Sequence, residues 1–151
     1  MAVAVDRITV TLATGNRDGA GTEGDVFLGI GGREFKLDRP DLPGHGPGAT
    51  VEYVLGDDAN VANKERNDPD ADLRLKTDDL EVFQFQYPVY IRFKGATDND
   101  TWNLEAATVL AESSEGIQEW KRMAGNANHL WLGNKFGNVC YLRQTQFLHA
   151  G

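Results

Sequence analysis

The sequence contains few of the residues that most often build disulfides, metal clusters and nucleophilic active sites. Its 151 residues include one cysteine, three histidines and two serines. A single cysteine excludes an internal disulfide framework and a thiolate metal cluster. Cys140 lies between Val139 and Tyr141, which is typical of a buried position in a strand.

The few histidines and serines do not form the patterns that catalysis requires. His45 lies in a segment rich in proline and glycine, His129 precedes a predicted strand, and His149 is close to the last residue. This scatter does not match the histidine spacing of a zinc protease. Ser113 and Ser114 are outside any nucleophile-elbow motif. We therefore expect a protein that is not an enzyme.

The sequence also lacks a long apolar run. No stretch of about 18 apolar residues is present, so we expect no transmembrane helix. The first ten residues, MAVAVDRITV, lack the basic region and the long apolar core of a signal peptide. These features together indicate a soluble protein that is cytoplasmic or located at the periphery of a membrane.

The charge of the chain narrows the choice of partners. The formal net charge is −8 and the isoelectric point is about 4.8. Such an acidic chain repels phosphate backbones, so we expect no nucleic-acid partner. It also repels anionic lipid, unless a divalent cation reverses the local charge. Hydrophobic residues make up 40% and charged residues 25%, which is ordinary for a globular protein, and we treat residues 1–151 as one domain.

Alternation of apolar and polar residues predicts a chain built from strands. In the first such segment, Ile8, Val10 and Leu12 share one face, and Gly31 with Gly32 marks a tight hairpin turn. About eight strands at regular spacing favour an antiparallel β-sandwich. The predicted strands cover residues 7–12, 25–30, 33–37, 50–55, 80–86, 89–95, 102–111, 129–133 and 138–148.

One segment, residues 114–124, fits two structures. A short helix would place Ile117, Trp120 and Ala124 on one side and would begin at a serine cap. Gly116 weakens a helix, and a strand through residues 117–123 is the alternative.

Three features resemble the PLAT domain, also called the lipoxygenase-homology domain. The first is a strand that ends in Thr-Gly and leads through Gly-Ala-Gly-Thr into Asp-Val-Phe-Leu, at residues 14–28. The second is the acidic turn LGDDANV at residues 55–61. The third is the strand, acidic loop and tryptophan of residues 89–109. The resemblance covers residues 7–111 and implies an all-β antiparallel sandwich of two four-stranded sheets.

The resemblance also implies calcium binding by loops at one end of the sandwich. The loops that correspond in this sequence are residues 15–25, 56–60 and 97–101. Members of this family often carry a carboxylate at the position of Gly19, so the site is weaker here unless Asp18 or a water molecule substitutes for it. The matching positions are Gly19, Gly21, Thr22, Asp57, Asp58, Asp98 and Asp100.

Calcium chemistry agrees with these residue types. Calcium takes six to eight oxygen ligands from carboxylates, carbonyls and water. Glycine-rich loops can turn their carbonyls toward an ion without steric cost. The alternative is that aspartate and asparagine are simply common in turns.

A second acidic segment has the spacing of an EF-hand loop. Asp68, Asp70, Asp72 and Asp79 occupy the first, third, fifth and twelfth positions. Leu73 stands where that loop requires glycine, and no predicted helices flank the segment. A solvated acidic loop is the alternative.

The expected function is that of a non-enzymatic binding module. PLAT-like domains bind protein partners or lipid surfaces, and we expect protein recognition by a monomer. The alternative is a calcium-dependent lipid-binding module, or a detached regulatory domain of a lipase- or lipoxygenase-type enzyme. The predicted calcium loops carry no aromatic residue at their tips. Trp102, Trp120 and Trp131 are expected in the core, although an exposed Trp131 would be able to anchor a ligand.

Overall fold

The protein is a sandwich of two antiparallel sheets. The structure is a computed structural model and describes residues 5–42, 44–69, 87–122 and 130–149. Its strands are β1 Val5–Thr14, β2 Asp25–Ile30, β3 Arg33–Leu37, β4 Thr50–Gly56, β5 Tyr90–Lys94, β6 Trp102–Ser113, β7 Gly116–Lys121, β8 Trp131–Leu132, β9 Val139–Tyr141 and β10 Arg143–His149.

The two sheets differ in size. One has four strands in the order β3-β2-β5-β9, and the other has six, in the order β10-β7-β6-β1-β4 with β8 paired to β6. The predicted all-β antiparallel sandwich is confirmed, and the predicted count of four strands holds for the first sheet only. The second sheet is larger because β7 and β10 extend it at one edge and β8 adds to β6.

Residues 116–121 of the ambiguous segment form a strand, so a helix there is wrong. In β7, Gln118 and Trp120 are buried while their neighbours are more exposed, which is the two-residue period of a strand. Gly116 has a φ of 137°, far from helical values. The strand pairs with β6 on one side and with β10 on the other.

The predicted last strand, residues 138–148, divides into two. β9 pairs with β5 in the four-stranded sheet, whereas β10 pairs with β7 in the six-stranded sheet. Leu142 stands between them, and its N–H donates to the carbonyl of Val89 at 2.8 Å. This segment therefore crosses from one sheet to the other.

The core lies between the two sheets. Ile8, Val10 and Leu12 on β1 are fully buried, as the alternation predicted, and Leu28 and Ile91 are buried in the other sheet. The hairpin between β2 and β3 is also confirmed. Both of its central glycines have positive φ angles, 63° and 77°, which a two-residue turn of this type requires. The predicted strand at residues 80–86 is outside the described residues.

Trp102 closes the core at the end where β1 finishes. Its side chain is 0% exposed, which confirms its predicted place in the core. Its ring packs against Phe93 and His45, with centroid distances of 5.8 and 5.0 Å. The indole Nε1 donates to the hydroxyl of Thr14 at 2.9 Å, so the one polar atom of the ring is satisfied.

We expect Thr14→Val to lower the free energy of unfolding by about 1–3 kcal/mol, because it leaves the buried Trp102 N–H without its acceptor. Urea denaturation measures the change. Thr11→Val is the matched control, since it makes the same substitution at a half-buried position of the same strand. Equal stability of the two variants would contradict this role for the hydrogen bond.

Candidate functional site

Antiparallel pairing decides which loops meet. β1 ends at Thr14, β2 begins at Asp25, which pairs with Lys94 at the end of β5, and β6 begins at Trp102. The connections at residues 15–24 and 95–101 therefore lie at the same end of the sandwich. Segments 44–48 and 133–138 reach it as well, through hydrogen bonds to the first two loops. We call these four segments together the loop end.

Asp57 and Asp58 lie at the opposite end, so the prediction that residues 56–60 join the other two loops is wrong. β4 runs antiparallel to β1, and its last residue, Gly56, pairs with Arg7 near the start of β1. Six residues of strand lie between Arg7 and Thr14, so the two are about 23 Å apart. Asp58 forms a 3.6 Å ion pair with Arg7 and cannot reach the loop end.

The other five predicted residues do lie at the loop end. Gly19, Gly21, Thr22 and Asp100 line a cavity of about 640 Å³ between the loops. Asp98 lines a neighbouring cavity of about 460 Å³, which it shares with Asp100. The sequence predicted that these five residues share one end of the sandwich, and they do; whether they bind a metal stays a prediction.

Asp100 joins two of the loops through one carboxylate oxygen. Its Oδ2 accepts a hydrogen bond from the hydroxyl of Thr22 at 2.7 Å and another from the N–H of Ala96 at 2.9 Å. The Thr22 hydroxyl accepts in turn from the N–H of Gly24 at 2.9 Å. The chain of bonds orients the carboxylate and closes both turns.

The segment at residues 44–48 is fixed to the first loop by backbone hydrogen bonds. Thr22 and His45 exchange N–H to carbonyl bonds, both at 2.8 Å, and the N–H of Gly48 donates to Gly15 at 3.1 Å. A Cβ on Gly21 would lie 2.6 Å from the His45 carbonyl. Close packing therefore explains a glycine at this position without any ligand.

Sequence reasoning missed the place of His45 in the wall of the cavity. Its side chain is 4% exposed, and its Nε2 lies 2.7 Å from the hydroxyl of Tyr53. Burial lowers the pKa of His45 to about 4 and raises the pKa of Tyr53 above its usual value. Both groups are therefore neutral at pH 7. A lone histidine between glycines and a proline gives no signal of burial in the sequence.

Sequence reasoning also missed the loop between β8 and β9. Gly133 and Gly137 exchange backbone hydrogen bonds at 2.9 and 3.0 Å, which closes a tight turn. Phe136 in this turn is 63% exposed. The side-chain amide of Asn134 donates to the carbonyl of Asp98 at 3.2 Å and fixes the turn to the loop at residues 95–101. An aromatic residue beside a turn glycine was the available signal.

The smaller cavity lies between these two loops and has a mixed lining. Trp131, which is half-buried, and Phe136 supply aromatic rings. Asp98, Asp100 and Lys135, which carry charges of both signs, are also among its lining residues. Aromatic and charged groups of both signs are thus combined in a single surface depression.

The described side chains at the loop end do not by themselves complete a calcium site. Across the described ranges, no three His, Cys, Asp or Glu side chains converge in a way that would hold a metal ion. The larger cavity offers the carboxylates of Glu23 and Asp100 and the hydroxyl of Thr22. Backbone carbonyls and water would have to complete a shell of six to eight oxygens, which is typical of low affinity.

The EF-hand-like segment is mostly outside the described residues. Asp68 is half-buried near the end of a described range. Asp70, Asp72 and Asp79 belong to the part that the structure leaves undescribed.

The same fold occurs in solved structures of a toxin and of lipoxygenases. Alpha toxin from Clostridium absonum matches with a TM-score of 0.54 and 17% identity, over 93% of this chain and 32% of the toxin. Coral 8R-lipoxygenase matches with a TM-score of 0.56 and 15% identity, over 93% of this chain and 17% of that one. A lipoxygenase solved with arachidonate gives 0.52 and 14%, over 93% and 16%.

These matches confirm the predicted PLAT-like fold. The structure of coral 8R-lipoxygenase is described as showing calcium activation through a C2-like domain. The chain spans about a third of the toxin and about a sixth of each lipoxygenase. No protein-family model and no curated protein matches the sequence. In the described parts of the chain, no helix is long and apolar enough to cross a membrane.

Burial of His45 predicts a pH-dependent stability. The unfolded chain takes up a proton at this histidine below about pH 6.5, whereas the folded state does so only near pH 4. The stability that neutral His45 contributes is therefore complete above pH 6.5 and is lost as the pH falls toward 4.

Between pH 7 and 4, the free energy of unfolding should fall by about 2–3 kcal/mol more in the wild type than in His45→Gln. Urea denaturation at several pH values measures both curves, and their difference removes the contribution of the carboxylates. Parallel curves would show that His45 does not resist protonation in the folded state.

Proposed function

We propose that this domain is a non-catalytic module that binds a lipid surface through its loop end. The observation that carries the proposal is the exposure of Phe136 at the tip of a tight turn. That turn is bonded to the loop at residues 95–101, which is itself bonded to the loop at residues 15–24. An apolar side chain held at the end of a rigid sandwich is suited to entering the boundary region of a bilayer.

The chemistry of the neighbouring side chains supports docking on lipid. Burial of a phenylalanine side chain contributes about 1.5–3 kcal/mol. Trp131 lines the adjoining cavity, and tryptophan favours interfaces where one side is apolar and the other is wet. Two such rings would give weak, reversible attachment. The likeness to lipoxygenases and to a toxin agrees with this function by analogy of fold alone.

Calcium binding is the second part of the proposal. Glu23, Thr22 and Asp100 would supply side-chain oxygens in the larger cavity, and calcium would reduce the repulsion between the two carboxylates. An ion bound to the folded state alone raises its stability. The description of coral 8R-lipoxygenase as calcium-activated adds an analogy in the same direction.

Recognition of a protein partner is the second candidate function, and a different surface favours it. The outer face of the four-stranded sheet carries Phe27, Tyr90 and Tyr141, and Tyr141 is 67% exposed. Arg92 lies 4.0 Å from the ring of Phe27 and forms hydrogen bonds to Glu34 at 2.8 Å. The polar groups of this face are paired within the sheet, so we rank lipid binding first.

We expect Phe136→Ser to reduce binding to lipid vesicles by about tenfold or more, because it removes the apolar group that enters the bilayer. Co-sedimentation with vesicles of mixed composition measures binding. Tyr141→Ser is the matched control, since it removes an equally exposed aromatic ring from the sheet face.

The control separates lipid docking through the loop end from lipid docking through the sheet face. Loss of vesicle binding in Phe136→Ser alone supports docking through the loop end. Vesicle binding that both variants retain would contradict this docking mode, and loss in Tyr141→Ser alone would move the interface to the sheet.

We expect calcium at about 10 mM to raise the melting temperature by about 3–6 °C, as a site with a Kd of about 1 mM would do. Magnesium should have a smaller effect. Asp100→Asn should abolish the rise, because it removes one of two carboxylates while its side-chain oxygen can still accept the bonds from Thr22 and Ala96. The double variant Asp57→Asn, Asp58→Asn should respond like the wild type. A response that depends on Asp57 and Asp58 would contradict this location.

A further inference from the structure

We propose that the cavity between the loops at residues 95–101 and 133–138 binds the phosphocholine headgroup of a zwitterionic membrane lipid. The inference rests on the proposed function and names the lipid class. The trimethylammonium group would lie against the rings of Trp131 and Phe136, close to Asp98 and Asp100. Lys135 would contact the phosphate.

The aromatic side chains of the cavity suit a quaternary ammonium ion. Trp131 and Phe136 line one cavity of about 460 Å³, and this size is within the usual range for small-ligand sites. Aromatic faces attract quaternary ammonium ions through their negative quadrupole. A trimethylammonium group has no N–H to donate, so aromatic faces and negative charge bind it and hydrogen bonds do not.

The aspartates that line the cavity suit the same cation. Asp98 and Asp100 line the same cavity and supply the negative charge that a quaternary ammonium requires. Asp100 is oriented by its bonds from Thr22 and Ala96. Asn134 connects the two loops through the carbonyl of Asp98. The charged and aromatic walls are therefore held together before a ligand arrives, which lowers the cost of binding.

The negative charge of the chain favours a zwitterionic lipid over an anionic one. The segments at residues 15–25, 44–48, 94–101 and 131–138 contain five carboxylates and three cationic side chains, and the whole chain has a net charge of −8. An acidic surface of this kind is repelled by anionic lipid. A zwitterionic headgroup meets no such repulsion. Its phosphate has a partner in Lys135, which lines the cavity.

The exposure of Phe136 favours a lipid over free phosphocholine. A soluble ligand would leave this 63% exposed ring largely in water. A headgroup in a bilayer would place the ring at the boundary with the acyl chains, where its burial adds to the affinity. A phosphocholine lipid in a bilayer would thus fill the cavity and also bury the exposed ring of Phe136.

The test compares vesicles of phosphatidylcholine, phosphatidylethanolamine and phosphatidylglycerol with identical acyl chains, in excess chelator. The wild type should bind phosphatidylcholine about tenfold more tightly than phosphatidylethanolamine, which has the same net charge but lacks the methyl groups. Binding to phosphatidylglycerol should be weaker still. Soluble phosphocholine should compete, but only at much higher concentrations than the vesicle lipid.

The double variant Trp131→Leu, Phe136→Leu keeps apolar side chains but removes both ring faces. It should retain weak binding to all vesicles and lose the preference for phosphatidylcholine. Phe136→Leu alone, at an exposed position, should reduce the preference and serves if the double variant does not fold. Tyr141→Leu is the control and should leave the preference unchanged.

The outcomes separate this inference from the proposed function. Equal binding to all three lipids that is lost in Phe136→Ser would overturn the headgroup assignment and leave lipid docking intact. Stronger binding to phosphatidylglycerol would overturn the assignment as well. No binding to any vesicle would overturn both. Binding of soluble phosphocholine as tight as that of vesicles would show a soluble ligand rather than a membrane.

Discussion

The hydrogen bond between the hydroxyl of Thr22 and the carboxylate of Asp100 is the contact on which the loop end depends. It joins positions 78 residues apart at 2.7 Å, and the same carboxylate oxygen closes the turn at Ala96. Because charge-assisted bonds are stronger than neutral ones, this bond holds the glycine-rich loop at residues 15–24 and the acidic loop at residues 95–101 in one arrangement. The loop at residues 133–138 rests on the second of these loops through Asn134, so the exposed aromatic tip depends on the bond indirectly.

Trp102 supports the loop end from the core of the sandwich. Its buried ring contacts His45 and Phe93, and its N–H is bonded to Thr14. Loops of glycine and polar residues bury little apolar surface of their own, so they need an ordered base beneath them. Burial keeps His45 neutral, and a neutral imidazole adds no positive charge to a cavity that Glu23 and Asp100 line. The burial of His45 against Trp102 therefore preserves the acidic character of the loop end.

Local patterns predicted most strands, but they were unable to predict which ends of the strands meet. The alternation at Ile8, Val10 and Leu12 identified β1, and two glycines identified a hairpin, because both signals are local. Asp57 and Asp58 were assigned to the wrong end because direction depends on pairing partners distant in the sequence. Phe136 was missed for a related reason. A residue in a five-residue turn has no periodicity, and its exposure depends on the loops packed beside it.

The distribution of charge and apolar surface determines how such a site would discriminate between membranes. A cation that bridges protein to anionic lipid needs several converging carboxylates, and the larger cavity has two, Glu23 and Asp100. One oxygen of Asp100 is already engaged by Thr22 and Ala96. The smaller cavity instead combines aromatic rings with both signs of charge, a combination that matches a zwitterion directly. The proposed recognition at this end would therefore depend on the chemistry of the headgroup more than on the supply of calcium, and a bound cation would change the stability of the loops without forming the contact.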